Sequence, residues 1–190
     1  MKISVSQPYV GKNDKAFLND ALESNAISGV FGKYLGQFEE EFAEFCGVSH
    51  AISCSSGTAA LHLALAAAGI KEGDEVLVPS LTNMATFFAV LYTGAQPIPV
   101  DVSLKTLTID SEDLSRKITK KSKAILLVHL FGHPADMDPI NELAKQYNLK
   151  VFEDCAEAHG ATYKGSRVGG LGEAGCFSFF ANKIVSTGEG

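Results

Sequence analysis

Several features are missing from this chain, and each absence removes a class of function. No block of lysine or arginine stands out among 16 basic and 22 acidic residues, and the formal charge is -6. A nucleic-acid footprint needs clustered positive charge, so nucleic acid is not expected as a partner. The pair Lys120 and Lys121 lies among polar residues near an expected helix end and reads as a solvated face. No apolar run approaches the roughly 18 residues that a membrane span requires. The opening MKISVSQPYVGKND lacks the apolar stretch of a signal peptide. The cysteines, Cys46, Cys54, Cys155 and Cys176, form no C-x-x-C pair, which argues against a zinc cluster. Reduced thiols and a cytoplasmic setting are expected. No internal repeat and no low-complexity linker interrupts the sequence.

What is present is a chain of 190 residues, 46% hydrophobic, enough to bury a substantial core in one domain or slightly more. It closes on Ser186-Thr187-Gly188-Glu189-Gly190 with no helix or polar tail, so a piece of a longer protein is expected.

Apolar periodicity alternates between strand-type and helix-type runs. Leu35, Phe38, Phe42 and Phe45 recur at helical spacing, predicting an amphipathic helix over 34–46. A short strand is expected at 51–54, then an Ala- and Leu-rich helix over 58–68 ended by Gly69. Residues 75–78 predict a strand stopped by Pro79. A helix over 84–93 precedes Gly94, and 98–100 is the following strand. Asp110 opens a helix through Ile118, with Asp113 in a capping-box position. The run 124–130 is apolar apart from His129, as a central strand buried on both faces would be. Asp136 or Asp138 caps a helix to about Tyr147, and 150–153 and 176–180 are the last expected strands. This alternation predicts an α/β fold with a mostly parallel sheet and helices on both faces. Ligands in such folds bind beyond the C-terminal strand ends.

Three segments at those ends carry chemistry. Ser55-Ser56-Gly57-Thr58 joins an expected strand to a helix. Small residues admit close backbone approach, and a helix N-terminus suits a phosphate. An ordinary N-cap by Ser56 or Thr58 is the plainer reading. Asp154 closes an apolar strand in Val151-Phe152-Glu153-Asp154-Cys155-Ala156-Glu157-Ala158-His159. A carboxylate there can hold a cationic ring by a charge-assisted hydrogen bond, or simply cap a turn. Glu153, Asp154, Glu157 and His159 also raise a metal site, but their spacing fits no helical ligand motif, and no metal is expected. Lys183 follows the aromatic run Phe177-Ser178-Phe179-Phe180 and precedes a Gly-rich turn. Apolar walls can expose a nucleophilic amine there; a snorkelling surface lysine is the alternative. Each signal alone is modest. Together they supply a phosphate site, a partner for a ring nitrogen and an amine for an aldehyde, the needs of pyridoxal 5'-phosphate.

The same residues give the chain a resemblance to the DegT/DnrJ/EryC1/StrS family of sugar aminotransferases. It runs through residues 36–45, 55–61, Gly73-Asp74-Glu75-Val76, Val78-Pro79-Ser80-Leu81-Thr82, Gly94-Ala95, Pro97 and Val100-Asp101. It continues through His129-Leu130-Phe131-Gly132-His133-Pro134, 153–158, and Ser178-Phe179 to Lys183 with Gly188-Glu189-Gly190. The resemblance implies the fold type I, aspartate aminotransferase-like architecture. Residues 1–190 would form its cofactor-binding large domain, without the C-terminal small domain, and the 190 residues alone would not turn over. It also implies a homodimer with shared active sites. Ser56, Gly57 and Thr58, with Ser178 assisting, would serve the phosphate. Asp154 would serve the ring nitrogen, and Ala156 would pack on the ring. Glu157 stands where many relatives carry Gln or His near the phenolic oxygen, and Lys183 would form the Schiff base and then shuttle protons.

The implied reaction moves an amino group from L-glutamate to a keto group of a nucleotide-linked sugar. The likeness is strong to members that aminate C4 of GDP-4-keto-6-deoxymannose, in lipopolysaccharide O-antigen synthesis, with antibiotic sugars behind. Two departures stand out: the absent small domain, and Asn83, where relatives often carry an aromatic residue that stacks on the ring. Phe87 or Phe88 is expected to take over the stacking, or the stacking is weaker. Substrate contacts are expected near residues 25–30 and at His159. Three other readings compete. One is a sugar dehydratase, whose relatives use His where transaminases use Lys. Another is a thiol hydrolase built on Cys155 and His159. The third is a non-catalytic relative that binds cofactor or DNA.

Overall fold

The protein is described by a computed structural model covering residues 9–28 and 32–190. Two compact units follow each other along the chain, Met1–Ser53 and Cys54–Gly190.

The first unit contains α1 (Lys12–Glu23) and α2 (Lys33–Cys46). Phe17 meets Tyr34 edge to face with ring centroids 5.8 Å apart, and Asp20 takes both the Tyr34 hydroxyl and the Lys33 ammonium. Gly47, at φ 72°, ends α2 in the left-handed conformation that glycine adopts freely. Helix α1 was not expected; its Phe17, Leu18 and Leu22 are exposed, and none of its residues is buried. The strand expected at 51–54 is absent, and the Ser53 amide instead donates to Glu39 at 2.7 Å.

The second unit is built on a five-stranded sheet in the order β2-β1-β3-β4-β7. Its strands are β1 (Glu75–Pro79), β2 (Gln96–Val100), β3 (Ser122–Val128), β4 (Lys150–Asp154) and β7 (Ala174–Cys176). Every pairing is parallel, and β3 is central, as its apolar run predicts. Residues of the sheet alternate between two cores, because successive side chains of a strand face opposite ways. Val76, Val78, Ala124, Leu126 and Phe152 pack under α3 (Gly57–Ala67) and α4 (Met84–Tyr92). Leu77, Ile125, Leu127 and Val151 pack under α5 (Ser111–Lys117) and α6 (Met137–Tyr147). The expected α/β fold with helices on both faces is the one observed.

Edge strand β2 carries Pro97 and Pro99, paired with Val76 and Val78. The Gln96 amide donates toward β1, to Asp74 at 2.9 Å, so the prolines occupy the alternate positions that face outward.

Three local expectations are corrected. The capping box at Asp110 is half formed. Asp110 accepts from the Glu112 and Asp113 amides, while Asp113 turns to the Asp101 amide at 2.8 Å. Asp136 stands at the N-cap of α6 without a capping bond, and its carboxylate takes the Tyr163 hydroxyl at 2.5 Å instead. The strand expected at 176–180 lies earlier and is shorter. The chain leaves the sheet after Cys176 and folds back, so that the Phe179 amide reaches the Gly190 carbonyl at 2.9 Å. An unexpected hairpin pairs β5 (Thr162–Tyr163) with β6 (Ser166–Arg167). Its turn residues Lys164 and Gly165 have φ of 49° and 87°, the hairpin-favouring geometry. Among the described residues no helix is long and apolar enough to cross a membrane.

Candidate active site

Asp154 ends β4 beside the ends of β3 and β7, where open parallel sheets bind ligands. Its side chain is buried and held from two sides. Thr86 Oγ1 donates to Oδ2 at 2.8 Å, and the Ala156 amide donates to Oδ1 at 3.1 Å. Burial pushes the carboxyl above its ordinary range, partly opposed by these two bonds and by the charge of Lys183. Among the described residues no cation forms an ion pair with it. Cys176, across the ladder, is a protonated thiol: burial, then the Asp154 charge, pushes it up to about 12.

Helix α3 presents its N-terminus in the same unit. Ser56 is the N-cap, accepting from the Ala59 amide at 3.1 Å. The amides of Gly57 and Thr58 head the helix, where no intrahelical acceptor exists for them. Gly57 is buried against the returning chain, and a Cβ on it would stand 2.9 Å from Ser178 Cβ and 3.2 Å from the Phe177 carbonyl oxygen. Only glycine allows that approach, and it brings the buried Ser178 beside the helix terminus.

Lys183 is mostly buried, its side chain 17% exposed, with Nζ 3.8 Å from Glu157 Oε1. Glu157 is itself anchored, its Oε2 accepting from the Phe131 amide at 3.0 Å. Phe131 has a φ of 52°, a left-handed conformation that costs a non-glycine residue energy. His159 lies between the rings of Phe177 and Phe179, at centroid distances of 5.3 and 5.1 Å. Burial, then the Lys183 charge, holds its imidazole below the usual range. The Ser178 backbone lies close, but neither buried ring nitrogen meets a partner in hydrogen-bonding geometry. The Cys155–His159 couple that a thiol hydrolase needs is therefore not formed. Phe87 packs into the core under α3 and α4, Phe88 stacks on Tyr92 at 6.1 Å, and Asn83 caps α4 through the Ala85 amide at 2.9 Å. Of the positions expected near a substrate, Asn25 follows α1 at φ 55°, and 29–30 lie outside the described residues.

Two supports went unread in the sequence. Thr86 is the one buried polar side chain of the apolar helix α4. A lone threonine in such a run, four residues after Thr82, was the available signal. The second is Glu153, fully buried, which accepts from the amides of Gly169, Leu171 and Gly172 at 2.7–2.8 Å and faces His129 Nε2 at 3.0 Å. His129 Nδ1 accepts from the Ala135 amide at 3.0 Å, so the ring proton sits on Nε2 and points at Glu153. Ligand atoms of His129, Glu153 and Cys155 lie within 4.8 Å of one another. The imidazole nitrogens and carboxylate oxygens of that trio are already engaged, so it acts as a brace behind Asp154.

These groups fit pyridoxal phosphate. The open amides of α3 beside a buried serine match a phosphate. Asp154, buried with neutral donors only, lacks the cation that a protonated ring nitrogen provides. Lys183, near enough to act on Asp154 by charge, has the amine that the cofactor's aldehyde would need.

The sequence pattern of the DegT/DnrJ/EryC1/StrS aminotransferase family matches residues 8–190. The chain is 50% identical over 189 residues to the GDP-perosamine synthase of Caulobacter vibrioides, covering 100% of this chain and 51% of that protein. Among solved structures, the aminotransferase from Psychrobacter cryohalolentis superposes with a TM-score of 0.94 at 42% identity, over 99% of this chain and 48% of that one. The E. coli GDP-4-keto-6-deoxy-D-mannose-3-dehydratase with bound hydrated PLP gives a TM-score of 0.93 at 30% identity, over 99% and 49%. The chain thus spans about half the length of the curated relatives it matches. It belongs to the DegT/DnrJ/EryC1/StrS aminotransferase family.

Proposed function

We propose that the protein is a pyridoxal-phosphate-dependent aminotransferase that moves an amino group from L-glutamate to C4 of GDP-4-keto-6-deoxymannose. The observation carrying this reading is the meeting, in one compact unit, of a buried strand-end carboxylate, a mostly buried lysine and an open helix N-terminus. The likeness to GDP-perosamine synthase supports the choice of sugar. The protein works as a cytoplasmic homodimer in the building of O-antigen sugars.

When bound, pyridoxal phosphate supplies an aldehyde that condenses with amines and a protonated ring that draws electrons from the adjoining carbon. The Gly57 and Thr58 amides and the Ser178 hydroxyl hold the phosphate, with Ser56 fixing the helix terminus. Asp154 would hold the proton on the ring nitrogen, Ala156 would pack on the ring, and Glu157 would serve the phenolic oxygen. Lys183 would hold the cofactor through its side-chain amine. The same amine would take the proton from the donor's α-carbon and, in the reverse half of the cycle, deliver one to C4 of the sugar.

The likeness to a dehydratase raises elimination as a second reading. Lys183 favours transamination, since the nucleophilic amine is intact. The deciding experiment is the visible absorption spectrum of the full-length protein with pyridoxal phosphate, before and after L-glutamate. The expected result is a lysine-bound band that glutamate converts to the pyridoxamine form, which GDP-4-keto-6-deoxymannose converts back. A band indifferent to glutamate overturns the donor assignment, and no band at all overturns the cofactor.

A further inference from the structure

We propose that Thr86, oriented by Thr82, is a positioning residue for the Asp154 carboxylate, which it aims and whose hold on a ring N–H it strengthens. This role presupposes that Asp154 is the partner of the ring nitrogen.

Thr86 is fully buried and places Oγ1 2.8 Å from Asp154 Oδ2 and 2.7 Å from Thr82 Oγ1. A hydroxyl has one proton to give, and an ionised carboxylate only accepts. With Asp154 ionised, the Thr86 proton points at it, and Thr82 is the donor in the second contact. In that state the chain runs from half-buried Thr82 through Thr86 to buried Asp154, and each hydroxyl polarises the next.

Neither hydroxyl is needed to start α4. Asn83 does that, with its side chain on the Ala85 amide at 2.9 Å and its carbonyl accepting from the Thr86 amide at 3.1 Å. The two threonine hydroxyls are left to serve Asp154. The other carboxylate oxygen is tied to the Ala156 amide at 3.1 Å. One bond thus comes from α4 and the other from the loop after β4, and together they set the plane of the carboxylate. The Thr86 bond also opposes the upward push of burial on Asp154.

The test uses the full-length protein and the variants Thr86→Val, Thr86→Ser and Thr82→Val. Three quantities are measured: pyridoxal phosphate affinity, the carbon-13 titration of Asp154 in cofactor-free protein, and the melting temperature. Thr86→Val is expected to weaken cofactor binding about tenfold, the effect of one charge-assisted hydrogen bond, and to move the Asp154 titration to higher pH. Thr86→Ser restores both, and Thr82→Val moves both in the same direction but less. Wild-type values for a folded Thr86→Val overturn the proposal. So does a folded Thr86→Ser that fails to restore them, since that leaves only the methyl group's packing. If wild-type protein binds no cofactor, the proposed function fails, while the Asp154 titration still decides the role of Thr86.

Discussion

Glu153 and His129 meet at 3.0 Å with neither side chain exposed to solvent. The pair joins the ends of β3 and β4 to the loop at Gly169, Leu171 and Gly172, next to Asp154. Burial alone would raise the Glu153 carboxyl, but the bonds from His129 and the Gly169 and Gly172 amides outweigh it and hold the group below its ordinary range. A depressed carboxyl contributes stability above its unfolded value, and that contribution is lost as pH falls toward the folded value. Glu153→Gln would turn an amide donor toward backbone donors and cost about 3 kcal/mol. Chemical denaturation at neutral pH measures the loss. The variant's stability should also fall less steeply than wild type below about pH 4.3.

Asp154 has the opposite sign. Its folded carboxyl is raised by burial, so the native state keeps a proton that the unfolded chain has released. Wild-type cofactor-free stability therefore drops as pH rises through that window. Asp154→Asn keeps an acceptor for the Ala156 amide and has no charge to bury. At pH 8 it should melt above cofactor-free wild type, by roughly 3–6 °C. The gap should close as pH falls below about 3.9. The same variant should lose most pyridoxal phosphate affinity. A melting difference that is flat with pH would count against a buried charge at Asp154.

Gly57→Ala and Gly36→Ala form a matched pair. At Gly57 the added carbon would stand 2.9 Å from Ser178 Cβ, whereas at Gly36, inside α2, it meets nothing within 4 Å. The first substitution should destabilise by about 1–3 kcal/mol through overpacking and weaken cofactor binding. The second should stabilise by about 0.5–1 kcal/mol by stiffening the helix. Denaturation midpoints and a cofactor titration check both.

Lys183→Ala should reduce transamination by the full-length protein at least about 1000-fold, since the nucleophile and the proton carrier are one group. Borohydride reduction followed by mass spectrometry should find cofactor attached in wild type and none in the variant. Undiminished turnover in the variant would remove Lys183 from the chemistry.

Much of the second unit was legible because strand-end chemistry follows from residue type. An acid closing an apolar strand and a lysine after an aromatic run were visible without coordinates. The run Phe177-Ser178-Phe179-Phe180 misled, since its β propensity is satisfied elsewhere. Phe177 packs with Cys155, Ala158 and Val168, and both Phe177 and Phe179 flank His159. Helix α1 was missed because its apolar residues line no buried stripe. Thr86 was missed because its partner lies 68 residues away, beyond any periodicity.

The prolines of β2 have a consequence for assembly. Pro97 and Pro99 stand at the outward positions of the edge strand and have no N–H to offer. An approaching strand would find no donors there, and the Pro99 carbonyl is already taken by Lys117 at 2.7 Å, so that border is sealed against aggregation and against growth. Any strand that widens this sheet must join on the β7 side, the side from which the chain departs to carry Lys183.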